Sequence, residues 1–339
     1  MLLMNSLYLN RVTSLEIGEN VMIESDLLKT MVNWQVCKKM NNLKRFHIYK
    51  NDIGEEGVKE ILEMSQLTDV SIISNGITRD EMKLMGKLKH LTRIDLSWNP
   101  IGDEGLKSLS EMKELLTSLH VSHCKIGDLG CEIIGQMYQL TELDISSNSG
   151  WNSKVSSIGV KSISQLKKLT KLNISRNNIN GEGIKSISEM KQLISLNVFN
   201  CSISKEFTKF LVSEKLTELD IGNNIYLDDS FLEMKQLRIL KMEGLLVKIP
   251  EKIRQLKELT ELDVSSCRSN DRDFVYDIKE LRNLKKLFLR RNASIQDKGV
   301  ILLSQHLEHL TELDIRDCGI SYEVEKSLKH KKNLTKLVL

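Results

Sequence analysis

The sequence predicts an α/β solenoid, a curved stack of units that each hold one short strand and one helix. Three observations lead to this prediction. An apolar pattern recurs fourteen times, its mean spacing is about 24 residues (twelve steps over the 291 residues from Leu43 to Leu334), and a helix-like phrase follows many copies. Because stacked units bury one continuous core, we expect parallel strands on one side and helices on the other.

The strand half of each unit has the pattern L-x-x-L-x-L-x-x-N/C. The two apolar side chains of L-x-L point to the core, and the residue between them points outward. The Asn or Cys is predicted to turn inward, where its polar group satisfies backbone groups of the bend. We expect the second apolar residue of each pair to be buried, as at Leu96, Ile145, Ile174 and Ile221.

The helix half of the unit is carried by the phrase I-G-D-E-G, which begins at Ile101 and has related copies at Ile53, Ile126, Ile179 and Ile295. Acidic residues near its start favour a helix N-terminus, because the helix dipole attracts negative charge there. The glycines allow a tight turn and close packing. Recurrence at the repeat spacing favours this structural role over a phosphate-binding loop.

The combined unit, N-x-I-G-x-x-G-x-x-x-L/I at about 24 residues, resembles the short, ribonuclease-inhibitor-like (GALA-type) leucine-rich repeat over essentially the whole chain. One unit, residues 246–256 with Ile249 and Pro250, is instead similar to the I-P-x-x-I-x-x-L phrase of plant-type and Ras-signalling repeats. The resemblance implies a right-handed horseshoe with a concave parallel sheet and convex helices. It does not imply a function by itself, since such repeats bind many unrelated partners.

The regularity of the repeats divides the chain into two predicted parts. Residues 1–42 are predicted to be an irregular repeat with a possible helical cap, because Val12 and Leu43 are 31 positions apart. Residues 43–339 are predicted to be the leucine-rich-repeat array, with a truncated last repeat. We expect Leu334, Leu337 and Leu339 to lie at an uncovered strand edge, which predicts possible self-association through the C-terminal end.

Composition and residue placement exclude several classes of function. The 49 basic and 46 acidic residues are too balanced for a nucleic-acid-binding protein, and no apolar run approaches the length of a membrane span. The six dispersed cysteines predict no disulfide and a reducing, cytoplasmic setting. His120, His123 and Cys124 are close in sequence but point to different sides, so we expect no metal and no cofactor.

Candidate partner-binding residues lie on the outward strand positions and the bends that follow them. Aromatic residues and arginine are the usual anchors of protein interfaces. A polar insertion at residues 148–157 adds one more aromatic residue. The predicted contact residues are Tyr49, Trp98, Trp151, Arg176, Phe199, Phe288, Arg290, Arg291 and Arg316. From Glu218 onward, acidic residues alternate with basic or apolar ones, so we expect that part of the concave face to be largely self-neutralised.

The sequence therefore favours a non-enzymatic module that binds a protein partner on the concave face and the strand-end bends, because no nucleophile, base and orienting group occur in a recognisable arrangement. One alternative is the substrate-recognition part of an F-box-type ubiquitin-ligase receptor, although no F-box-like segment precedes Val12. Another is a GTPase regulator that resembles the Ran GTPase activator, for which Arg79 is the candidate residue. A third is a microbial effector or surface protein.

Overall fold

The structure is a computed structural model, and the chain divides into two compact units, Met1–Asn173 (unit 1) and Ile174–Leu339 (unit 2). The structure describes residues 9, 11–18, 34–88, 90–147, 155–224, 227–245, 249–267 and 274–339.

Unit 1 has seven described strands, which are parallel and lie side by side in chain order. They are β1 (Ser14–Ile17), β2 (Arg45–Tyr49), β3 (Asp69–Ile73), β4 (Arg93–Asp95), β5 (Ser118–His120), β6 (Glu142–Asp144) and β7 (Lys171–Asn173). Equivalent positions of successive repeats pair with each other, as Ile94 pairs with Val70 and with Leu119. This register places all outward residues of one repeat position in a row.

Three of the α-helices that the structure describes in unit 1 begin in copies of the predicted phrase, at Gly54, Gly102 and Asp128. The described helices of unit 1 are α1 (Trp34–Lys38), α2 (Gly54–Leu62), α3 (Arg79–Met85), α4 (Gly102–Leu106) with a 3₁₀ extension (Lys107–Met112), α5 (Asp128–Ile134) and α6 (Ser157–Ile163). The N-terminal cap was predicted to carry Trp34 on a longer helix. Trp34 is helical, and positions 21–33 lie outside the described residues.

Unit 2 also has seven described strands, again parallel and in chain order. They are β8 (Ser195–Asn197), β9 (Glu218–Asp220), β10 (Ile239–Lys241), β11 (Glu261–Asp263), β12 (Lys286–Phe288), β13 (Glu312–Asp314) and β14 (Lys336–Val338).

The return legs of unit 2 are more varied than those of unit 1. Its α-helices are α7 (Asn180–Ser188), α8 (Phe274–Ile278), α9 (Gln296–His306) and α10 (Tyr322–Lys329), and its 3₁₀ helices are Lys205–Leu211, Ser230–Glu233 and Glu251–Gln255. The 3₁₀ segments fall where the I-G-x-x-G phrase is missing and where repeats shorten, as between Leu216 and Leu237. Pro250 is extended (φ −72°, ψ 145°) and immediately precedes the last of these 3₁₀ helices. This position suits proline, because it has no backbone N–H to donate to a preceding turn.

The core of each unit is formed by the repeated apolar positions. Leu96 and Ile145 in unit 1, and Ile174 and Ile221 in unit 2, are all buried, which confirms the predicted phase of the strands. Their side chains meet those of the helices, so each unit is a layer of helices on a layer of sheet.

The aligned Asn and Cys side chains turn inward and bond to backbone groups, as predicted, and the structure shows that these bonds also connect successive repeats. The Asn75 side-chain amide donates to the Ile48 carbonyl (3.0 Å), and its Oδ1 accepts from the Asn51 backbone amide (3.0 Å). Cys124 takes the same place in its repeat, where its thiol donates to the Leu96 carbonyl. Burial raises the pKa of this thiol to about 12, and all six cysteines of the chain are free and buried. Such thiols are unreactive because the thiolate is disfavoured.

A second inter-repeat contact lies at the helix starts. Asp128 of α5 accepts hydrogen bonds from the Ser156 amide (2.8 Å), the Ser156 hydroxyl (2.7 Å) and the Gly159 amide (3.0 Å) of the next repeat. A Cβ on Gly159 would lie 2.6 Å from the Asp128 carboxylate, so this position requires glycine. The acid thus clamps two repeats together, in addition to its interaction with the dipole of its own helix.

Candidate interaction surface

One side of each sheet faces the core, and the other, the sheet face, carries the outward strand residues. Four strands repeat the same phrase Thr-Glu-Leu-Asp, in which Glu and Asp lie on the sheet face and Leu lies in the core. The phrases end at Asp144 in unit 1 and at Asp220, Asp263 and Asp314 in unit 2. The surroundings of these eight carboxylates distinguish the two units.

The sheet face of unit 1 carries a connected network of charges. Glu142 accepts from Arg93 Nη1 (2.9 Å) and from the Ser118 hydroxyl (3.1 Å), and its other oxygen lies 3.6 Å from His120 Nε2. His120 Nδ1 lies 3.7 Å from the Asp95 carboxylate on the opposite side. The imidazole is therefore held between acids of the two neighbouring strands.

The pKa values of this network shift as expected for mutual stabilisation. The hydrogen bond to Asp95 raises the pKa of His120. Burial opposes ionisation of Asp95 and Glu142, but neighbouring groups outweigh it. His120 and Ser97 lower the pKa of Asp95, and His120 and Arg93 lower the pKa of Glu142. The charged forms of all three groups are thus favoured together.

Two further pairs extend this pattern in unit 1. Asp144 accepts from the Asn173 side-chain amide (2.8 Å), so its phrase is partnered by the next strand. His47 Nε2 lies 3.4 Å from the Asp69 carboxylate. Most of the acids on this sheet face therefore have a side-chain partner one repeat away.

Part of the unit 2 sheet face is paired in a similar way. Glu261 lies 3.1 Å from Lys241 Nζ and 3.3 Å from Lys286 Nζ. Asp314 accepts from Arg316 Nε (3.0 Å), and this bond offsets the burial that opposes ionisation, so that the pKa of Asp314 is lowered. Glu312 forms an ion pair with Lys336.

Strand β9 differs. Within the described residues, neither Glu218 nor Asp220 forms an ion pair or accepts a hydrogen bond from a side chain, and Asp220 accepts one bond from the Gly222 amide (3.1 Å). Burial raises the pKa of Asp220 to about 6. The expectation that the face from Glu218 onward is largely self-neutralised is therefore wrong at β9, since the ammonium of Lys241, which is opposite Asp220, lies at Glu261.

Asp263 resembles Asp220 in that burial raises its pKa. Its carboxylate accepts from the Ser265 backbone amide (2.9 Å) and also from the Ser265 side chain. In the described part of the chain it has no cation within ion-pair distance. Asp220 and Asp263 are the sheet-face acids that the sequence interpretation missed, because it treated this Asp as part of the repeat consensus.

The bends after the strands have a special backbone. The residue immediately before the inward Asn or Cys forms what we call the bend row, and in ten described repeats its φ lies between 52° and 65°. Its amide donates to the next repeat, as Trp98 does to the Ser122 carbonyl. Left-handed φ is unusual for residues with a side chain, and here the inter-repeat bond holds it. Three predicted contact residues, Trp98, Arg176 and Arg291, lie in this row.

Two aromatic contacts organise the bend row and the adjacent sheet face. The Trp98 ring stacks on His123 of the next repeat, with centroids 3.8 Å apart, and still has 53% of its surface exposed. In unit 2 the Arg176 guanidinium lies 5.2 Å above the Phe199 ring, a cation–π contact. Trp98, Arg176 and Phe199, which were predicted as contact residues, thus each pack against a neighbouring side chain and keep an accessible surface.

The other predicted contact residues are placed less uniformly. Tyr49 is half-buried and packs against Gly18, and Arg291 lies 3.8 Å from Asp317. Phe288 and Arg290 are half-buried on and beside the unit 2 sheet face, next to the exposed Arg316. Trp151 lies outside the described residues.

The described residues contain no group of three or more His, Cys, Asp or Glu side chains that could hold a metal ion. Cys124 points into the core, away from the sheet-face side chain of His120. Arg79, the residue considered for GTPase regulation, is the first residue of α3 and lies 3.9 Å from Asp80. A search of the described helices finds none that is long and apolar enough to cross a membrane.

Comparison with known families agrees with this geometry. A model of Zer-1-like leucine-rich repeats matches residues 82–204, and a leucine-rich-repeat model matches residues 280–304 and 306–323. The chain is a leucine-rich-repeat protein. The ribonuclease-inhibitor-like subtype of its repeats stays a prediction, and no curated protein matches the sequence.

Solved leucine-rich-repeat structures share its fold. An internalin of Listeria monocytogenes is 19% identical, with a TM-score of 0.58, and the match covers 99% of this chain and 89% of the internalin. A chain from the complex of Rad7 and Elc1 in yeast is 16% identical, with a TM-score of 0.63, and the match covers 89% of this chain and 77% of that one. At these identities the similarity shows the fold and nothing finer.

Proposed function

We propose that this leucine-rich-repeat protein is a non-enzymatic module that binds a protein partner through its sheet face and bend row. Leucine-rich-repeat proteins in general bind other proteins, and the yeast neighbour was solved in complex with one. The observation that carries the proposal is the set of accessible aromatic residues in fixed positions on this surface, namely Trp98 stacked on His123, and Phe199 beneath Arg176. Aromatic and arginine side chains held in one conformation lose little entropy on binding.

Photo-crosslinking from matched phenylalanines tests this function. Benzoylphenylalanine is placed at Phe199 or Phe288 on the sheet-face side, and at Phe210 in the 3₁₀ helix of unit 2 as the control, since all three are half-buried phenylalanines. The full chain is then irradiated in cells of the organism that makes it. We expect one discrete protein adduct from Phe199 and Phe288 and none from Phe210. Adducts of equal yield at all three positions, or none from the sheet face, would contradict the proposal.

We further propose that the chain self-associates through β14. In the described sheet β14 pairs with β13, Leu337 is half-exposed and Leu339 is 39% exposed. An open apolar strand edge is a template for pairing with another chain. Light scattering of this polypeptide, with and without an added capping repeat, should show a larger particle without the cap. Two monomers of equal melting temperature would show that the edge is already protected.

A further inference from the structure

The sheet face of unit 2 lacks cations where it has acids. Along β9–β11 it presents four carboxylates and one ammonium, and that ammonium, Lys241 Nζ, lies 3.1 Å from Glu261. Glu261 is also served by Lys286. Two cations thus share one carboxylate, which leaves Glu218 and Asp220 of β9, and Asp263 of β11, without a cation among the described residues.

The four copies of Thr-Glu-Leu-Asp serve as internal references for this shortage. The Asp of each of the other three copies occupies the same position as Asp220, and all three have a side-chain partner, namely Asn173 for Asp144, Ser265 for Asp263 and Arg316 for Asp314. The Glu of the other copies is paired as well, with Arg93, Lys241 or Lys336. The phrase in β9 is the one in which neither acid is paired within the described part of the chain.

Apolar side chains border the unpaired acids on the same face. Ile239 is directly opposite Glu218 in the register, and Phe288 is directly opposite Asp263. Phe199 of the β8 bend packs against Gly222, the residue that follows β9 by two positions, where a Cβ would lie 2.8 Å from the phenylalanine ring. Ile239, Phe199 and Phe288 are all half-buried, so each keeps an accessible surface.

We propose that the sheet face over β9–β11 receives a lysine or arginine side chain of the protein partner. This side chain pairs with Asp220 and Glu218, while apolar residues next to it in the partner contact Phe199 and Ile239. This inference rests on the proposed protein-binding function and specifies the chemistry of the partner. A basic side chain supplies the charge that the repeat lacks, and its aliphatic stem suits the apolar border. Pairing of a half-buried carboxylate with a cation also removes the cost of burying it alone.

The probe is a phage-displayed library of random dodecapeptides, selected on the full wild-type chain. We expect the enriched peptides to carry Lys or Arg next to an apolar residue, and to lose about tenfold or more in affinity against Asp220→Asn. The matched control is Asp144→Asn, the same substitution in the same phrase of unit 1, which should change affinity less than about twofold. Binding of the enriched peptides should also weaken with added salt.

Three results would overturn the inference. These are enriched peptides without an excess of basic residues, basic peptides that bind Asp220→Asn as tightly as the wild type, and a selection that yields no binder. None of them affects the crosslinking result at Phe199 and Phe288, so failure of the inference is distinguishable from failure of the proposed function. Absence of crosslinks there removes the function itself.

Discussion

Unit 1 and unit 2 use the same repeat and the same strand phrase, yet their outward charges are arranged differently. In unit 1, Arg93 and His120 each connect acids of different strands, and Asn173 bonds to Asp144. In unit 2, Lys241 and Lys286 both lie at Glu261, and Asp220 is left with a backbone bond. A paired acid contributes to the stability of the repeat stack, whereas an unpaired, half-buried acid is available to a ligand. The comparison therefore separates a structural surface from a candidate recognition surface.

The largest expected effect concerns the helix-start aspartates that accept hydrogen bonds from the next repeat. Asp128 of unit 1 accepts three hydrogen bonds from the next repeat, whereas Asp297 of unit 2 accepts one, from the Ser321 amide. Asp128→Ala should lower the free energy of unfolding by about 2–3 kcal/mol, and Asp297→Ala by about 1 kcal/mol. Urea unfolding of both variants measures the difference, and equal losses would contradict the contrast in clamping.

The next effect is a pH dependence with opposite signs for two aspartates of unit 2. Burial raises the pKa of Asp220 from 3.8 to about 6, so the folded state binds more protons than the unfolded state between these values. Stability should therefore fall as pH rises from about 4 to about 6, on the order of 2 kcal/mol, and Asp220→Asn should remove this fall. The polar and charged groups that face Asp220 are Asn197, Glu218, Lys241, Glu243 and Asp263.

Asp314 supplies the control for this sign. Its pKa is lowered in the folded state, mainly by Arg316 against the effect of burial. Its contribution is therefore present above the ordinary pKa of an aspartate and is lost as pH falls through the folded value. Asp314→Asn should destabilise the protein near pH 7 and become neutral in strong acid. Melting temperatures of Asp220→Asn and Asp314→Asn from about pH 3 to pH 7 test the two predictions together. If the two variants differed from wild type in the same way at every pH, the opposite signs would be refuted.

The smallest effect tests the network of unit 1. Because Asp95 raises the pKa of His120, the stability that the imidazolium provides is complete below the unfolded pKa and is lost as pH rises through the folded pKa. His120→Gln should therefore cost less than about 1 kcal/mol in mild acid and almost nothing at alkaline pH. The groups that face His120 are Arg93, Asp95, Ser118, Glu142 and Asp144.

Lys241→Gln is the matched variant for unit 2. The pKa of this lysine is raised above its already high value, since its bond to Glu261 outweighs the effect of burial. It therefore stays charged throughout the range in which His120 titrates. Melting temperatures between about pH 6 and pH 8 should show a pH-dependent difference from wild type for His120→Gln and a constant one for Lys241→Gln. A pH-dependent difference for both variants would mean that a group other than His120 causes the pH dependence.

Much of the fold could be predicted because the apolar residues recur at a regular spacing in the sequence. The spacing of Leu91, Ile94 and Leu96 determines which residues face the core, and the inward position of Cys124 follows from the same alignment. The 3₁₀ return legs of unit 2 were not predicted. They depend on how a shortened repeat spans the distance between neighbouring strands, as between Leu216 and Leu237, which no local pattern encodes.

The sequence alone determined that Glu and Asp of each Thr-Glu-Leu-Asp phrase point outward, because alternation along a strand is a local property. It could not determine which of them are paired with residues of other repeats. Asp144, Asp220, Asp263 and Asp314 share the same phrase. The residue two positions on offers a side-chain partner to three of them (Ser146, Ser265 and Arg316) but is Gly222 after Asp220, and the Asn173 partner of Asp144 stands a whole repeat away. Tertiary stacking decided that Lys241 turns to Glu261 rather than to Asp220, since an ammonium with acids on both sides lies where the combined attraction is strongest.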